Sequence, residues 1–276
     1  MRTQAEKAAE FKTLHQGPEP FVVANPWDAG TARILAGLGF QALSTTSAGL
    51  AFTLGRRDGT ASIRRDEALA NARAIVDATE LPVAADLENG YGHTPEEAAE
   101  TIRLAAETAG LVGGSIEDAS GDPAHPIYDF DHAVERVAAA AAAARALPFP
   151  FMLVGRAENY LHGRPDLDDT LRRLQAYEAA GAEVLYAPGI TGREDIRTVC
   201  ASVSKPVNVL MGLKDAPALS VRELGALGVR RISVGSGFAR AAITAFLHAA
   251  REVRDHGTFE FAEETLYMSE IAALFK

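Results

Sequence analysis

The chain has one cysteine, Cys200, so it has no internal disulfide framework and no cysteine-ligated zinc site, and it suits a reducing compartment. It also lacks an excess of positive charge. Its 27 basic residues against 37 acidic ones give a formal net charge of -10, which provides no basic stripe to follow a phosphate backbone, so nucleic acid is not an expected partner. No run of about 18 uncharged apolar residues is available to span a bilayer, and Met1 to Phe11 is charged where a signal peptide would be apolar. The expectation is a cytoplasmic protein with no membrane partner. No Gly-rich dinucleotide fingerprint follows the early apolar run Val22 to Asn25, which counts against a doubly wound sheet. What remains is an ordinary folded mixture, 47% hydrophobic and 23% charged over 276 residues, long enough for one large α/β barrel.

Short β-branched or apolar runs alternate with helical patterns along the whole chain, as in βαβ units. The candidate strands are Phe21 to Asn25, Ala42 to Thr46, Val83 to Asp86, Gly113 to Glu117, Phe151 to Arg156, Val184 to Ala187, Val207 to Leu210 and Arg231 to Val234. Between them, amphipathic stretches run over Ile63 to Ala78, Pro95 to Ala109, Asp131 to Ala146 and Asp168 to Ala180. Thr94, Asp131 and Asp168 are placed as N-caps, with Gly110 and Gly181 as stops. Eight such units make a single (β/α)8 TIM-type barrel domain spanning residues 1–276, with an extra N-terminal helix over residues 3–15. The tail 236–276 holds more helix than a barrel needs: one helix to Asp255, a break at Gly257, and a second from Phe261 to Phe275. The wide apolar face of that second helix is expected to lie in a subunit contact of a homo-oligomer, a dimer or a tetramer.

In such a barrel the active site forms at the C-terminal ends of the strands. Read there, the sequence is polar: Asn25 and Asp28, then Thr45 to Gly49, Asp86 with Glu88, Glu117 with Asp118, Arg156 with Glu158, Asn208, and Gly235-Ser236-Gly237. The hydroxyls and amides of Thr46, Ser47, Ala48 and Gly49 suit a carboxylate ligand. Asp86 and Glu88 are two residues apart, so on an extended strand they share a face. Carboxylates converging there are either neutralised by protonation and Arg156, or they hold a hard divalent cation. The metal reading is the stronger, because the other must explain Asp86, Glu88, Glu117 and Arg156 crowding one rim for structure alone.

These segments resemble, in order and over nearly the whole chain, the isocitrate lyase and phosphoenolpyruvate mutase superfamily. The matching phrases are Asn25 to Gly30, Ser44 to Gly49, Leu54 to Gly59, Asp86 to Gly92, Ile116-Glu117-Asp118, Gly155 to Glu158 and Gly235-Ser236-Gly237. The resemblance implies a barrel enzyme that binds Mg2+, with Mn2+ as an alternative, and a small 2-oxo or enol carboxylic acid. It commonly implies a homotetramer in which neighbours exchange the final barrel helix. Carried over to this sequence, it implies that Asp86 is the direct metal ligand, with Glu88, Glu117 and Asp58 holding the metal's waters. Arg156 would pair with a substrate carboxylate or the developing enolate oxygen, and Thr46 to Gly49 and Asn208 would contact the substrate. Glu88 stands where many relatives carry Asp.

The loop from Asp118 to Asp129 departs from the pattern. It has neither the cysteine of the isocitrate and methylisocitrate lyases nor the Lys- and Asn-bearing signature of the phosphonate-processing relatives. Cys200 does not replace that cysteine, because it sits on a helix as a packing residue. His125 is the loop's sole histidine and the candidate proton donor. The expected function is a Mg2+-dependent enzyme acting on an oxaloacetate-like 2-oxo acid, by C–C cleavage or decarboxylation through a metal-stabilised enolate. The alternatives are a 2-oxo acid binding protein with little or no lyase activity, and a C–P mutase or hydrolase.

Overall fold

The computed structural model describes residues 2–59, 62–214 and 216–275. All eight strands are present: β1 (Phe21–Ala24), β2 (Ala42–Ser44), β3 (Val83–Asp86), β4 (Gly113–Glu117), β5 (Met152–Arg156), β6 (Val184–Tyr186), β7 (Val207–Leu210) and β8 (Arg231–Ser233). They pair in sequence order, all parallel, and β8 closes on β1 through Phe21 against Arg231 and Val23 against Ser233. The chain is therefore a (β/α)8 barrel. Several strands end one or two residues earlier than the sequence suggests, because their last polar residues already bond across the mouth. Asn25 shows the reason. Its Nδ2 donates to the carbonyls of Ser44 and Thr45 (2.9 and 3.2 Å), and its Oδ1 accepts from the N–H groups of Val234 and Gly235 (2.9 and 3.0 Å). One amide thus ties β1, β2 and the end of β8 together.

The surrounding helices are α1 (Gln4–Gln16), α2 (Ala29–Gly37), α3 (Ser47–Thr53), α4 (Arg65–Asp77), α5 (Pro95–Glu107), α6 (Phe130–Arg145), α7 (Leu167–Ala180), α8 (Arg193–Ser202), α9 (Val221–Ala226), α10 (Gly237–His256) and α11 (Met268–Ala273). Thr94 caps α5 as its hydroxyl position requires, and Gly181 ends α7 in the left-handed region. The other two caps lie upstream of the sequence expectation. The cap of α7 is Asp166, whose carboxylate accepts from Asp169 N–H, and α6 starts after Asp129 with no side-chain bond. The alanine run of α6 presents Ala140, Ala141 and Ala144 to α5, where side chains this short let two helices pack side by side.

The N-terminal end of the barrel is closed by α1. Phe11 is wholly buried under the strands, and the bare Cα of Gly113 makes room for it: a Cβ there would lie 3.0 Å from the Phe11 ring. His15 packs edge-on to Phe11 and Phe21 and donates from Nδ1 to the Phe11 carbonyl (2.7 Å).

The C-terminal segment corrects one expectation. Residues 261–275 are not one helix but a 3-10 turn over Glu260–Glu264, an extended step, and the short α11. Glu252 on α10 accepts from the N–H groups of Glu260 and Phe261 and from the Thr258 hydroxyl, which folds the chain back after Gly257. Tyr267 N–H then bonds the Glu270 carboxylate and starts a new helix. Phe246, Phe259, Leu266, Tyr267 and Met268 are each more than half exposed along this arm. Among the described residues no helix is long and apolar enough to cross a membrane.

Burial, with the Arg231 charge nearby, pushes the His15 imidazole down to about 3. The folded chain therefore binds fewer protons than the unfolded chain between about pH 3 and 6.5, and stability falls as the pH drops through that window. Between pH 7 and 5 the native chain should lose about 2 kcal/mol more than His15→Leu in urea unfolding. Equal acid sensitivity in the two would show that this ring does not couple to folding.

Candidate active site

The strand ends enclose a cavity of about 200 Å3, whose mouth is lined by Thr46, Ser47, Ala48, Asp58, Asp86 and Arg156. Its electrostatic centre is the Arg156 guanidinium, held by carboxylates from β3, from β4 and from the residues just after β5. Nη1 lies 3.2 Å from both Asp86 Oδ1 and Glu117 Oε2, and Nε donates to Glu158. The ring of Tyr186 lies 5.2 Å from the guanidinium carbon. Nη2 has no hydrogen-bond partner among the described residues, so one side of the fork is available to a ligand. Asp86 is bonded on its other oxygen, where Oδ2 accepts from Ser47 Oγ (2.8 Å) and Ser47 N–H (3.2 Å).

The loop after β3 carries the next carboxylate in an unusual backbone. Glu88 has φ 47° and Tyr91 φ 57°, left-handed values that cost about 1–3 kcal/mol each unless the surroundings hold them. They are held. The Glu88 carbonyl accepts from Glu117 N–H (3.0 Å), Thr101 Oγ1 donates to the Gly90 carbonyl (2.6 Å), and Arg136 donates to the carbonyls of Asn89 and Thr94.

Burial, then the charges of Asp86 and Asp58, push the Glu88 carboxyl up to about 8. Burial and Asp86 raise Asp58 as well, and burial raises Glu117 and Glu158 against the pull of Arg156. Asp86, Glu117 and Glu158 thus contact one guanidinium, with Asp58 and Glu88 close enough to Asp86 for its charge to raise them, an oxygen-only set of donors of the kind a hard divalent cation takes. Among the described residues no three His, Cys, Asp or Glu groups stand ready to ligate an ion by themselves.

The other sequence candidates divide. Asn208 lines the cavity at depth. Gly49 lies beneath Trp27, where a Cβ would approach both Trp27 Cβ and Thr46 Cγ2 to 2.7 Å, and its N–H bonds Thr46 Oγ1 at 3.3 Å. Glu88 faces a neighbouring cleft with Arg65, Asn89 and His93. His125 is not brought to the cavity. Its ring is 85% exposed, stands 3.3 Å from Asp122, and lines a separate groove with His93, Tyr128 and His132. Cys200, its thiol pushed up to about 11 by burial, packs on α8 against Gly228.

Three residues that the sequence reading left without a role belong here. Glu158 lies two positions after Arg156, on the same face, and the alternation would have found it. Asp118 is buried behind it, accepting from Glu158 N–H (2.8 Å), Tyr177 Oη (2.6 Å) and Arg173 Nη1 (3.1 Å), and so fixes the chain that carries Arg156 and Glu158. Arg231, inward-facing at the start of β8, reaches the cavity floor.

Residues 11–254 match the family model described as phosphoenolpyruvate phosphomutase. The chain belongs to this family. Among phosphomutase-family relatives, an oxaloacetate decarboxylase of Bradyrhizobium diazoefficiens is 32% identical over 213 residues, 75% of this chain and 70% of that one. A solved Burkholderia cenocepacia protein, provisionally named a lyase/mutase, is 57% identical with a TM-score of 0.95, covering 99% of this chain and 96% of its own. A 2,3-dimethylmalate lyase structure is 25% identical with a TM-score of 0.87, covering 100% of this chain and 96% of its own. Like these relatives the chain is a member of the phosphoenolpyruvate mutase and isocitrate lyase superfamily.

Asp118→Asn should lower the unfolding free energy by about 2 kcal/mol, because a neutral amide cannot accept from Tyr177, Arg173 and Glu158 N–H as the buried carboxylate does, while Asp169 still pairs Arg173 Nε. Denaturant melts check this, and a loss below 1 kcal/mol, the scale of an exposed pair, would show that the network carries no such weight.

Proposed function

We propose that the chain is a divalent-metal-dependent lyase for small, oxaloacetate-like 2-oxo carboxylic acids. The observation that carries this is the cluster of Asp86, Glu117 and Glu158 on Arg156 at the mouth of the barrel, with Asp58 beside Asp86 and Glu88 two residues beyond it. Asp86 would hold Mg2+ or Mn2+ directly, with Asp58, Glu88 and Glu117 bonding the ion's waters. The ion would supply Lewis-acid polarisation of the 2-oxo group.

The chain's own residues do the rest. Arg156 offers Nη2 to the substrate's carboxylate or oxo oxygen, where negative charge develops as the C–C bond breaks and its electron pair moves toward the oxygen. Glu158 and Glu117 keep the guanidinium from swinging away. Ser47, anchored on Asp86, and Ala48 border the same space and fix the orientation of the bound acid. His125, turned to solvent in a separate groove, does not reach this site. That favours a binding-only protein as the second reading, which an activity measurement separates.

Incubation with oxaloacetate and Mg2+ should give pyruvate by decarboxylation, or oxalate by hydrolysis, and EDTA should stop it. Absence of both products with intact binding would leave the binding protein. Asp86→Ala should remove the metal-dependent activity and weaken Mg2+ binding, while the chain stays folded. Unchanged Mg2+ affinity in calorimetry would remove Asp86 from the metal site. Arg156→Lys should weaken 2-oxo acid binding by about 1.5–3 kcal/mol, because a point ammonium does not reproduce a guanidinium fork.

The exposed apolar arm formed by Phe246, Phe259, Leu266, Tyr267 and Met268 supports a homo-oligomer, dimer or tetramer, in which this arm lies between subunits. Light scattering should report a multiple of the 29.2 kDa chain, and removal of residues 258–276 should give a smaller or insoluble species. A truncated form with the full chain's size and solubility would assign the arm to its own barrel.

A further inference from the structure

The floor of the cavity holds a cation with no anion. Arg231 is 5% exposed, and its Nε and Nη1 are buried without a hydrogen-bond partner. Among the described residues no carboxylate pairs with it. Its neighbours are the Phe11 ring, 5.7 Å from the guanidinium carbon, and Tyr186. His15 beneath it is neutral and adds no negative charge. A buried guanidinium left in this state costs several kcal/mol, so the fold retains Arg231 against its own stability.

The space above Arg231 is also unusual for a barrel. Interiors of this fold are packed with Val, Ile and Leu, whereas here Ser44, Ser115, Ser233 and Asn208 point inward. They leave one continuous cavity from Asp86, Ser47 and Arg156 at the mouth to Arg231 at the floor. Asn208 lends Nδ2 to Ser233 Oγ (3.0 Å), while its Oδ1 is buried without a partner. Rotation of that amide exchanges its ends and turns the NH2 toward the same space. Tyr186 stands between the two arginines, touching Arg156 with its ring face.

Resting on the 2-oxo acid reading of the mouth, we propose that Arg231, with Asn208, is an anion subsite for the carboxylate remote from the 2-oxo group. The substrate class is then the 2-oxo dicarboxylates, bound lengthwise down the barrel axis with one end at Arg156 and the other at Arg231. An inorganic anion from solvent offers the same charge, and the test separates the two.

Titration calorimetry in Mg2+ with oxalate, too short to leave the mouth, and with 3,3-difluorooxaloacetate, a four-carbon 2-oxo dicarboxylate, reads the subsite directly. In Arg231→Gln the dicarboxylate should bind at least about tenfold more weakly, the scale of one charged hydrogen bond. Oxalate should hold its native dissociation constant. Arg231→Lys keeps the cation while losing the fork, and its preference for the dicarboxylate over oxalate should fall between those of the native chain and Arg231→Gln. Equal retention of both ligands, or equal loss of both, overturns the subsite and leaves Arg231 as packing. Bromide bound at Arg231 in crystals, with dicarboxylate affinity unchanged in Arg231→Gln, overturns it in favour of an inorganic anion. Failure of the native chain to bind either ligand instead overturns the 2-oxo acid reading itself.

Discussion

The arrangement at the barrel mouth depends on one buried guanidinium. Arg156 gathers Asp86 from β3, Glu117 from β4 and Glu158 from just beyond its own strand, and without a cation those carboxyls would repel one another across adjacent strands. One positive charge does not neutralise the set. The residual imbalance shows in the carboxyls of Asp58 and Glu88, both raised above their ordinary range. A fold that keeps such an imbalance is poised for a ligand that supplies positive charge. The proposed divalent metal would do so, with Asp86 to hold it and the neighbouring carboxyls to bond its waters.

Around that centre the scaffold is rigid where it needs to be. Asn25 bridges the closing strands, and Asp118 locks the chain behind Glu158 to α7. The left-handed backbone at Glu88 and Tyr91 is over-determined by bonds from α5, α6 and β4. Each of these contacts spans elements far apart in sequence, so the mouth has a fixed geometry before any ligand enters.

Much of this was legible in the residues, because strand ends in a barrel declare themselves. Several of the short apolar runs stop in a polar residue, as at Asn25, Asp86, Glu117 and Arg156, and period-two alternation places Asp86 and Arg156 inward. What was not legible depended on three-dimensional closure. Arg231 follows Arg230, and nothing local says which of two adjacent arginines faces the axis. That follows from the register of β8 against β1 and β7. His125 was a reasonable donor by loop position, but its bond to Asp122 turns the ring outward, a choice that spacing along a chain does not encode. The periodicity of residues 261–275 was real. Yet Thr265 and Tyr267 are extended, and Tyr267 N–H takes the Glu270 carboxylate as its acceptor instead of a carbonyl one turn back.

The plug of Phe11 and His15 under the strands makes the cavity a blind well. A molecule that enters it passes Arg156 at the rim before it meets Arg231 at the floor, and it leaves by the same way, so both charges act on its exit as they act on its entry.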